Sequence, residues 1–230
     1  MPALIVRWLG EQAYLPCLQQ MQRYTADRNA QSSDEIWLLE HPPVFTQGQN
    51  GKPEHLLAPG NIPVIPIDRG GQVTYHGPGQ LMVYTLIDIQ RKKWGIRQFV
   101  QLLLQSVTDM LNEHYHLNAS CQTTLPGVYL NQQKICSIGL RVRQGRAYHG
   151  MALNVAMDLE PFHRIHPCGI STLQMTQLRD HVPETGEPLT PHSVGSTLLS
   201  YLTHQLAYQS DDTIIKKPYT DNHMGGLNEH

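Results

Sequence analysis

No stretch of this 230-residue chain approaches the roughly 18 consecutive apolar residues that a membrane-spanning helix needs. Charge is sparse as well. Lys and Arg number 17 and Asp and Glu 19, a net charge of −2, so bulk electrostatic binding to nucleic acid or to a membrane surface is not expected. Cysteine is limited to Cys17, Cys121, Cys136 and Cys168. No pair of them has CxxC spacing, which argues against a zinc site, and four are too few to staple a chain of this length. The segment Met1 to Leu9 has no basic start followed by a long apolar core, and so does not read as a signal peptide. Reduced thiols and a cytoplasmic location are the resulting expectation. The 13 histidines are scattered. His114 and His116 are two apart and would not share a helix face, and His163 and His166 have no evident third ligand, so no metal site is expected. There is also no internal repeat and no linker.

A content of 40% hydrophobic residues is enough for one well-buried core. We read residues 1–208 as one domain and 209–230 as a polar C-terminal tail, with Lys216-Lys217-Pro218 and Gly225-Gly226, at the periphery. Strand candidates are Leu4 to Trp8, Ile36 to Leu39, Val44 to Thr46, Ile62 to Ile67, Leu81 to Ile89, Gly127 to Asn131, Lys134 to Arg143 and Ala147 to Met157. Asn131-Gln132-Gln133 and Gln144-Gly145-Arg146 occupy hairpin positions between the last three. Helices are expected over Glu11 to Arg28, Ile96 to Leu111 and Ser193 to Leu206. In the second, Ile96, Val100, Leu103, Leu104, Val107 and Leu111 form one stripe at the 3.6-residue period, leaving Arg97, Gln101, Gln105 and Thr108 outside. The fold class is therefore α+β, a mixed, largely antiparallel sheet packed with helices.

Chemistry concentrates in four places. Cys168 lies in Arg164-Ile165-His166-Pro167-Cys168-Gly169-Ile170, where Pro before it and Gly after it force a bend. Ser171 to Leu178 reads as a short helix capped by Ser171, whose dipole would favour a thiolate at Cys168. The segment Arg69-Gly70-Gly71-Gln72-Val73-Thr74-Tyr75-His76-Gly77-Pro78-Gly79-Gln80 is too rich in glycine and proline for a good strand or helix, and reads as a ligand-contacting loop or a long turn. It lacks the Gly-Lys-Ser/Thr of a Walker loop, and no helix follows it. In the strand from Lys134, alternation puts Lys134 with Cys136, Ile138, Leu140 and Val142 on the apolar side, and Ser137, Arg141 and Arg143 on the other. A lysine facing a core is unusual, and desolvation favours the neutral amine that can accept a proton; the alternative is a strand-end lysine that reaches back to water. In Tyr148-His149-Gly150-Met151-Ala152-Leu153-Asn154, small residues alternate with bulky ones, which leaves space for an alkyl chain or for close packing. His76, His149 and His166 are each candidates to approach Cys168.

Together these segments resemble the lipoyl(octanoyl) transferase family. The resemblance runs from about Arg7 to Leu206. It rests on Glu40-His41-Pro42-Pro43-Val44-Phe45-Thr46-Gln47-Gly48, the Arg69 to Gln80 loop, Pro126-Gly127-Val128-Tyr129, Lys134-Ile135-Cys136-Ser137-Ile138-Gly139, His149 to Asn154 and Pro167-Cys168-Gly169. It implies a fold like the catalytic domain of biotin and lipoate protein ligases. It further implies transfer of octanoyl from octanoyl-acyl carrier protein, through a cysteine thioester, to a lysine amine of lipoyl domains. The acceptors would be 2-oxoacid dehydrogenase E2 subunits and the glycine cleavage H protein, and no cofactor would be needed. The thioester cysteine maps to Cys168 and the activating lysine to Lys134. The substrate contacts map to Arg69, Gly70, Gly71, Gln72, Val73, Thr74, Tyr75 and His76, to Ser137, Ile138 and Gly139, and to Gly150, Met151 and Ala152. Two other classes remain open: an ATP-dependent lipoate or biotin ligase, which would not require the cysteine, and a non-catalytic acyl-binding module.

Overall fold

A computed structural model describes residues 3–122, 124–183, 188–209 and 213–216. The strands are β1 (Leu4–Glu11), β2 (Asp34–Glu40), β3 (Val44–Gln47), β4 (Val64–Pro66), β5 (Val73–His76), β6 (Gln80–Asp88), β7 (Ala119–Gln122), β8 (Gly127–Leu130), β9 (Gln133–Arg143), β10 (Arg146–Asn154) and β11 (Thr213–Lys216). The helices are α1 (Tyr14–Asp27), α2 (Ile96–Asp109) and α3 (Pro191–Gln205). Among the described residues, the large sheet has eight strands in the order β11-β1-β2-β6-β10-β9-β8-β7, and a three-stranded sheet runs β4-β3-β5. Among the described strands only β11–β1, β1–β2 and β3–β4 pair in parallel, so the expected mixed, largely antiparallel α+β architecture is what forms. Of the expected tail, residues 213–216 pair with β1 as an edge strand; residues 210–212 and 217–230 lie outside the described residues.

The central strands are covered on both faces, which is why they read as nearly continuous apolar runs. Ile36, Leu38, Leu81, Val83, Met151 and Leu153 point to one side, beneath Phe99, Leu103 and Val107 of α2 and Val194, Leu198 and Leu202 of α3. Their alternates Trp37, Leu39, Met82, Tyr84 and Ala152 point to the other, against Tyr14, Cys17, Leu18 and Met21 of α1. The small sheet lies on this second side. Its outer surface packs Phe45, Val73 and Tyr75 on Met157, Phe162 and Ile165. Two tight hairpins set the register of β8, β9 and β10. Asn131 and Gln132 (φ 48° and 67°) and Gln144 and Gly145 (φ 50° and 75°) are left-handed pairs that join directly paired strand ends.

Several expectations change. α2 buries Phe99, which the stripe omitted, while Ile96 is 54% exposed. Thr108, expected outside, is buried because its hydroxyl donates to Leu104 O at 2.9 Å and so leaves no unmet polar group. Val73–His76 of the glycine-rich segment is a buried strand after all, paired with β3 along its whole length. Ser171 to Leu178 is not a helix. Lys134 N–H donates to Gln174 O (2.9 Å) and Thr176 N–H to Lys134 O (3.0 Å), which holds that segment extended beside β9. A strand β7 at the sheet edge had no counterpart in the sequence reading.

One buried ion cluster ties the distant parts together. Asp34 accepts from Arg28, from Arg91 (2.7 Å), from the Tyr208 hydroxyl (2.5 Å) and from Asp88 N–H (2.8 Å). Burial opposes its ionisation, but the Tyr208 and Asp88 hydrogen bonds and the Arg28 guanidinium outweigh it and hold the carboxyl below its ordinary value. The depressed value makes ionised Asp34 a stabilising group above the unfolded carboxyl value of about 3.9, a contribution lost as pH falls through the folded one. Asp34→Ala strands the Arg28 charge and should lower the unfolding free energy by about 3–5 kcal/mol at pH 7, measured by urea denaturation, with the deficit shrinking below pH 4.

Candidate active site

Pro167–Gly169 forms a single 3-10 turn closed by Gly169 N–H to His166 O (2.8 Å) and Ile170 N–H to Pro167 O (3.1 Å). Cys168 sits in it at φ 56°, ψ 17°, and Gly169 follows at φ 76°. A cysteine held left-handed is strained, a condition that persists where surrounding structure dictates it and that clusters at functional sites. Cys168 is half-buried and lines a cavity. The helix expected after it is absent, so no helix dipole acts on the sulfur. What faces it instead is Lys134.

Lys134 is 1% exposed and its Nζ lies 3.4 Å from Cys168 Sγ and 3.2 Å from Pro126 O, over the Tyr129 ring at 5.3 Å. Among the described residues no carboxylate pairs with it. The route by which Lys134 arrives there differs from simple alternation. The β8–β9 register shifts between Val128 and Tyr129, so that Tyr129 pairs with Lys134 but Val128 with Cys136. Ile135 and Cys136 both enter the core beneath α2, while Lys134 turns to the opposite side, shared with Ser137 and Gly139. Gly127 makes the passage possible: a Cβ there would lie 2.8 Å from Lys134 Cε and 2.7 Å from Cys136 O.

The cavity runs from Cys168 across β9, β10 and β6, beneath the small sheet, with about 500 Å³ of empty space, part of it continuous with solvent. Arg69, Gly71, Gln72, Val73, Thr74, His76, Ser137, Ile138, Gly139, Gly150, Met151 and Ala152 all line it, as does Cys168. Two of the expected substrate contacts do not, nor does Lys134, whose link to the lining is its contact with Cys168. Gly70 anchors the loop to β9 through its N–H to Leu140 O (3.0 Å). Tyr75 faces away, its ring 5.5 Å from both Phe45 and Phe162. Gly150 owes its size to close packing, since a Cβ would fall 1.9 Å from Val83 O. Tyr14, Met82 and Tyr84 complete the lining and escaped the sequence reading. Alternation along β6 groups Met82 with Tyr84, but nothing in it says which face holds the cavity.

Arg69 lies buried across the cavity, and Gly139 must lack a Cβ because one would be 2.8 Å from Arg69 Cδ. Its Nη2 donates to Thr46 O and Oγ1, both at 2.9 Å, and its Nη1 to Gly70 O at 2.9 Å. The chain continues: Thr46 Oγ1 to His76 Nε2 (3.1 Å), His76 Nδ1 to Gln80 Oε1 (2.7 Å), Gln80 Nε2 to Asn154 Oδ1 (2.8 Å), Asn154 Nδ2 to Thr176 O (2.8 Å). Because Thr176 O can only accept, each donor in the chain is fixed back to Thr46, and His76 carries its proton on Nδ1. Burial pushes His76 down to about 3 and His41 down to about 4, so both are neutral at physiological pH. His149, also at a left-handed φ of 62°, is pushed down by burial against the pull of Asp68, to which its Nε2 bonds at 2.9 Å; its buried Nδ1 has no partner. None of these imidazoles bonds to Cys168. Burial raises the thiols of Cys17 and Cys136 to about 12, which leaves them inert. Among the described residues no group of three His, Cys, Asp or Glu side chains converges as a metal site, and no helix is long and apolar enough to cross a membrane.

A family model described as the lipoyl protein ligase A/B catalytic domain matches residues 14–203. An octanoyltransferase of Shewanella sp. (strain ANA-3) is 54% identical over 206 residues, covering 90% of this chain and 93% of that protein. A chain from the structure of a bipartite lipoate protein ligase and its E2 lipoyl domain from Thermoplasma acidophilum superposes with a TM-score of 0.70 at 15% identity, over 94% of this chain and 87% of that one. The biotin protein ligase of Aquifex aeolicus, in complex with biotin and ATP, superposes at 0.55 and 16% identity, over 88% and 70%. The last two likenesses show a shared fold.

An ammonium against a thiol favours the thiolate, the reactive form. Lys134→Ala should therefore slow alkylation of Cys168 by iodoacetamide at neutral pH. An unchanged rate-versus-pH curve would leave Lys134 a structural residue only.

Proposed function

Because the chain belongs to the lipoyl protein ligase A/B catalytic domain family, we propose that Cys168 receives its acyl group from a carrier-bound thioester, holds it as an enzyme thioester and yields it to a lysine amine of a lipoyl domain. The chain is an acyltransferase whose cargo is octanoyl and whose task is protein lipoylation. The observation that carries the cysteine route is the 3.4 Å contact between Lys134 Nζ and Cys168 Sγ, beside a cavity that Cys168 lines. Exchange between thioesters is nearly isoenergetic, and an amide is downhill from a thioester, so neither half-reaction calls for ATP. A lysine in this position serves both: as ammonium it steadies the thiolate, and as amine it takes the proton of the attacking nucleophile. An acyl chain gains about 0.8 kcal/mol per buried CH₂, and the cavity discriminates chain length by about 1–3 kcal/mol per methylene. The ATP-dependent reading on the same fold has no use for Cys168, and a binding module has no use for a buried lysine beside it.

The donor in this reading is octanoyl-acyl carrier protein, and the acceptors are lipoyl domains of 2-oxoacid dehydrogenase E2 subunits and the glycine cleavage H protein, met in the cytoplasm. An acidic carrier would dock on basic side chains near the cavity. Arg91, Lys92, Lys93 and Arg97 form one group, but Arg91 is spent on Asp34 and on Ser32 O (2.9 Å), and Lys92 on Leu206 O (3.2 Å). Arg141, Arg143 and Arg146 form the other. Arg143 is exposed and Arg141 half-buried; Arg141 touches only Gln49 Oε1 (3.0 Å) among described hydrogen bonds, and follows Gly139 of the cavity wall by two residues. We favour this group.

After incubation with octanoyl-acyl carrier protein, the intact mass should rise by one octanoyl group, removable by hydroxylamine. Cys168→Ala should abolish the adduct and the transfer, whereas Cys17→Ala and Cys121→Ala should not; full activity in Cys168→Ala would sink the mechanism. For docking, Arg141→Glu with Arg143→Glu should raise KM for the carrier-bound donor and flatten its salt dependence, because exposed charges act on encounter and are screened. A small octanoyl thioester should be used as before. Equal loss with both donors would assign the arginines to the fold or the active site.

A further inference from the structure

A thioester on Cys168 is made and unmade through tetrahedral intermediates whose carbonyl oxygen carries a full negative charge, and the strongest help an active site gives is a fixed donor aimed at that oxygen. Lys134 and Cys168 do not supply one, since the ammonium is engaged with the sulfur and with Pro126 O. The guanidinium of Arg69 spends Nη1 and Nη2 on Gly70 O and on Thr46. One amide beside the nucleophile is unspent. Gln72 lines the same cavity as Cys168, and its Oε1 is closed off from solvent without a hydrogen-bond partner. The side chain lies against the nucleophile's own turn: a Cβ on Gly169 would stand 2.3 Å from Gln72 Oε1, 2.4 Å from Nε2 and 2.6 Å from Cδ. The φ of 76° is what calls for glycine at 169, and the absent Cβ leaves the amide room against the turn. The backbone behind Gln72 is held by Gly48 N–H to Gln72 O (3.3 Å) and Asn50 N–H to Gly71 O (3.1 Å), and β5 begins at the next residue. Half a turn about the terminal bond exchanges the oxygen and the nitrogen of the amide at the same place.

Resting on the Cys168 thioester reading, we propose that Gln72 is a catalytic residue whose side-chain N–H donates to the oxyanion in both half-reactions. In loading, Cys168 thiolate forms a bond to the acyl carbon and the π pair moves to the oxygen, where Gln72 meets it. Collapse restores the carbonyl and breaks the donor's C–S bond, and the leaving thiolate takes a proton from the Lys134 ammonium. In transfer, the acceptor amine forms the C–N bond and the same oxygen takes the charge. The neutral Lys134 amine accepts the nitrogen's proton, and collapse breaks the bond to Cys168, which leaves as thiolate.

The test measures three rates on Gln72→Ala and on the near-isosteric Gln72→Glu: single-turnover acylation of Cys168 by octanoyl-acyl carrier protein, transfer from the acyl-enzyme, and alkylation by iodoacetamide. Alkylation displaces iodide at a saturated carbon and forms no oxyanion, so it reports the turn and the thiolate alone. Acylation and transfer should each fall about 10²–10³-fold in both variants, with alkylation unchanged in Gln72→Ala; in Gln72→Glu the added carboxylate disfavours the thiolate and slows alkylation as well, but by less than acylation. With a ¹³C-labelled octanoyl thioester, the infrared carbonyl band should lie lower in the wild type than in Gln72→Ala, as a hydrogen-bonded carbonyl does. Acylation of Gln72→Ala at the wild-type rate, alkylation of Gln72→Ala falling in step with its acylation, or identical carbonyl bands would each overturn the proposal. A wild-type protein that acquires no octanoyl on Cys168 would instead overturn the thioester reading on which it rests.

Discussion

Burying one ammonium beside one thiol is the constraint that the rest of this structure serves. An uncompensated charge in the interior is costly, and Lys134 has no carboxylate among the described residues to offset it. Its compensation is assembled from weaker parts: the Pro126 carbonyl, the face of Tyr129 and the sulfur of Cys168. Each part depends on a local irregularity. The bulge at Ile135 reverses the side to which Lys134 points, and Gly127 clears its path. The segment that carries Cys168 returns to Lys134 within a few residues, where Gln174 and Thr176 bond to the lysine's own N–H and carbonyl. The nucleophile and its partner are thus joined through a short extended bridge as well as through space, and neither can drift without the other.

The same bridge connects to the roof of the cavity. From Arg69 through Thr46, His76, Gln80 and Asn154 to Thr176, every link is buried and directional. It spans the small sheet, the large sheet and the Cys168 segment, so the orientation of the Arg69 guanidinium is coupled to the placement of the thiol. A fully satisfied buried network of this kind specifies one arrangement, since a partly broken one leaves desolvated polar groups behind. The hydrophobic packing on both faces of β2, β6 and β10 supplies the rigid floor beneath it.

Much of the fold was legible because it rests on period and turn chemistry. α2 announced itself by its stripe, and the two left-handed hairpins fell where Asn131-Gln132 and Gln144-Gly145 stand between strands. The misses have physical causes. Ser171 to Leu178 carries a helix-like start, but hydrogen bonds to a strand 40 residues earlier in the chain, at Lys134, hold it extended, a tertiary effect no local pattern encodes. Phe99 was overlooked because the buried face of α2, with Phe99, Leu103, Ser106 and Val107, is turned from the stripe that begins at the exposed Ile96. Lys134 shows the limit most clearly. Strict alternation placed it on an inner face in company with Cys136, yet a bulge separates the two, and it is the opposite face that meets the cavity. Of the lining, the glycine-rich and small-residue segments were visible by composition, whereas Tyr14, Met82 and Tyr84 are ordinary core residues until the sheet is assembled.

The neutral histidines complete the electrostatic picture. Burial holds His76 near 3 and His41 near 4, well below the unfolded value of about 6.5. Their depressed values mean that below about pH 6.5 the unfolded chain binds protons that the folded one refuses, so these residues favour unfolding progressively in acid. What the fold gains for this cost is a roof whose dipoles do not change sign across the physiological range. With the imidazoles neutral, the charges at the site are those of Arg69, in the cavity lining, and of Lys134, against the Cys168 sulfur. Both are positive, and both favour the anionic species that acyl transfer creates, first the thiolate and then the oxyanion.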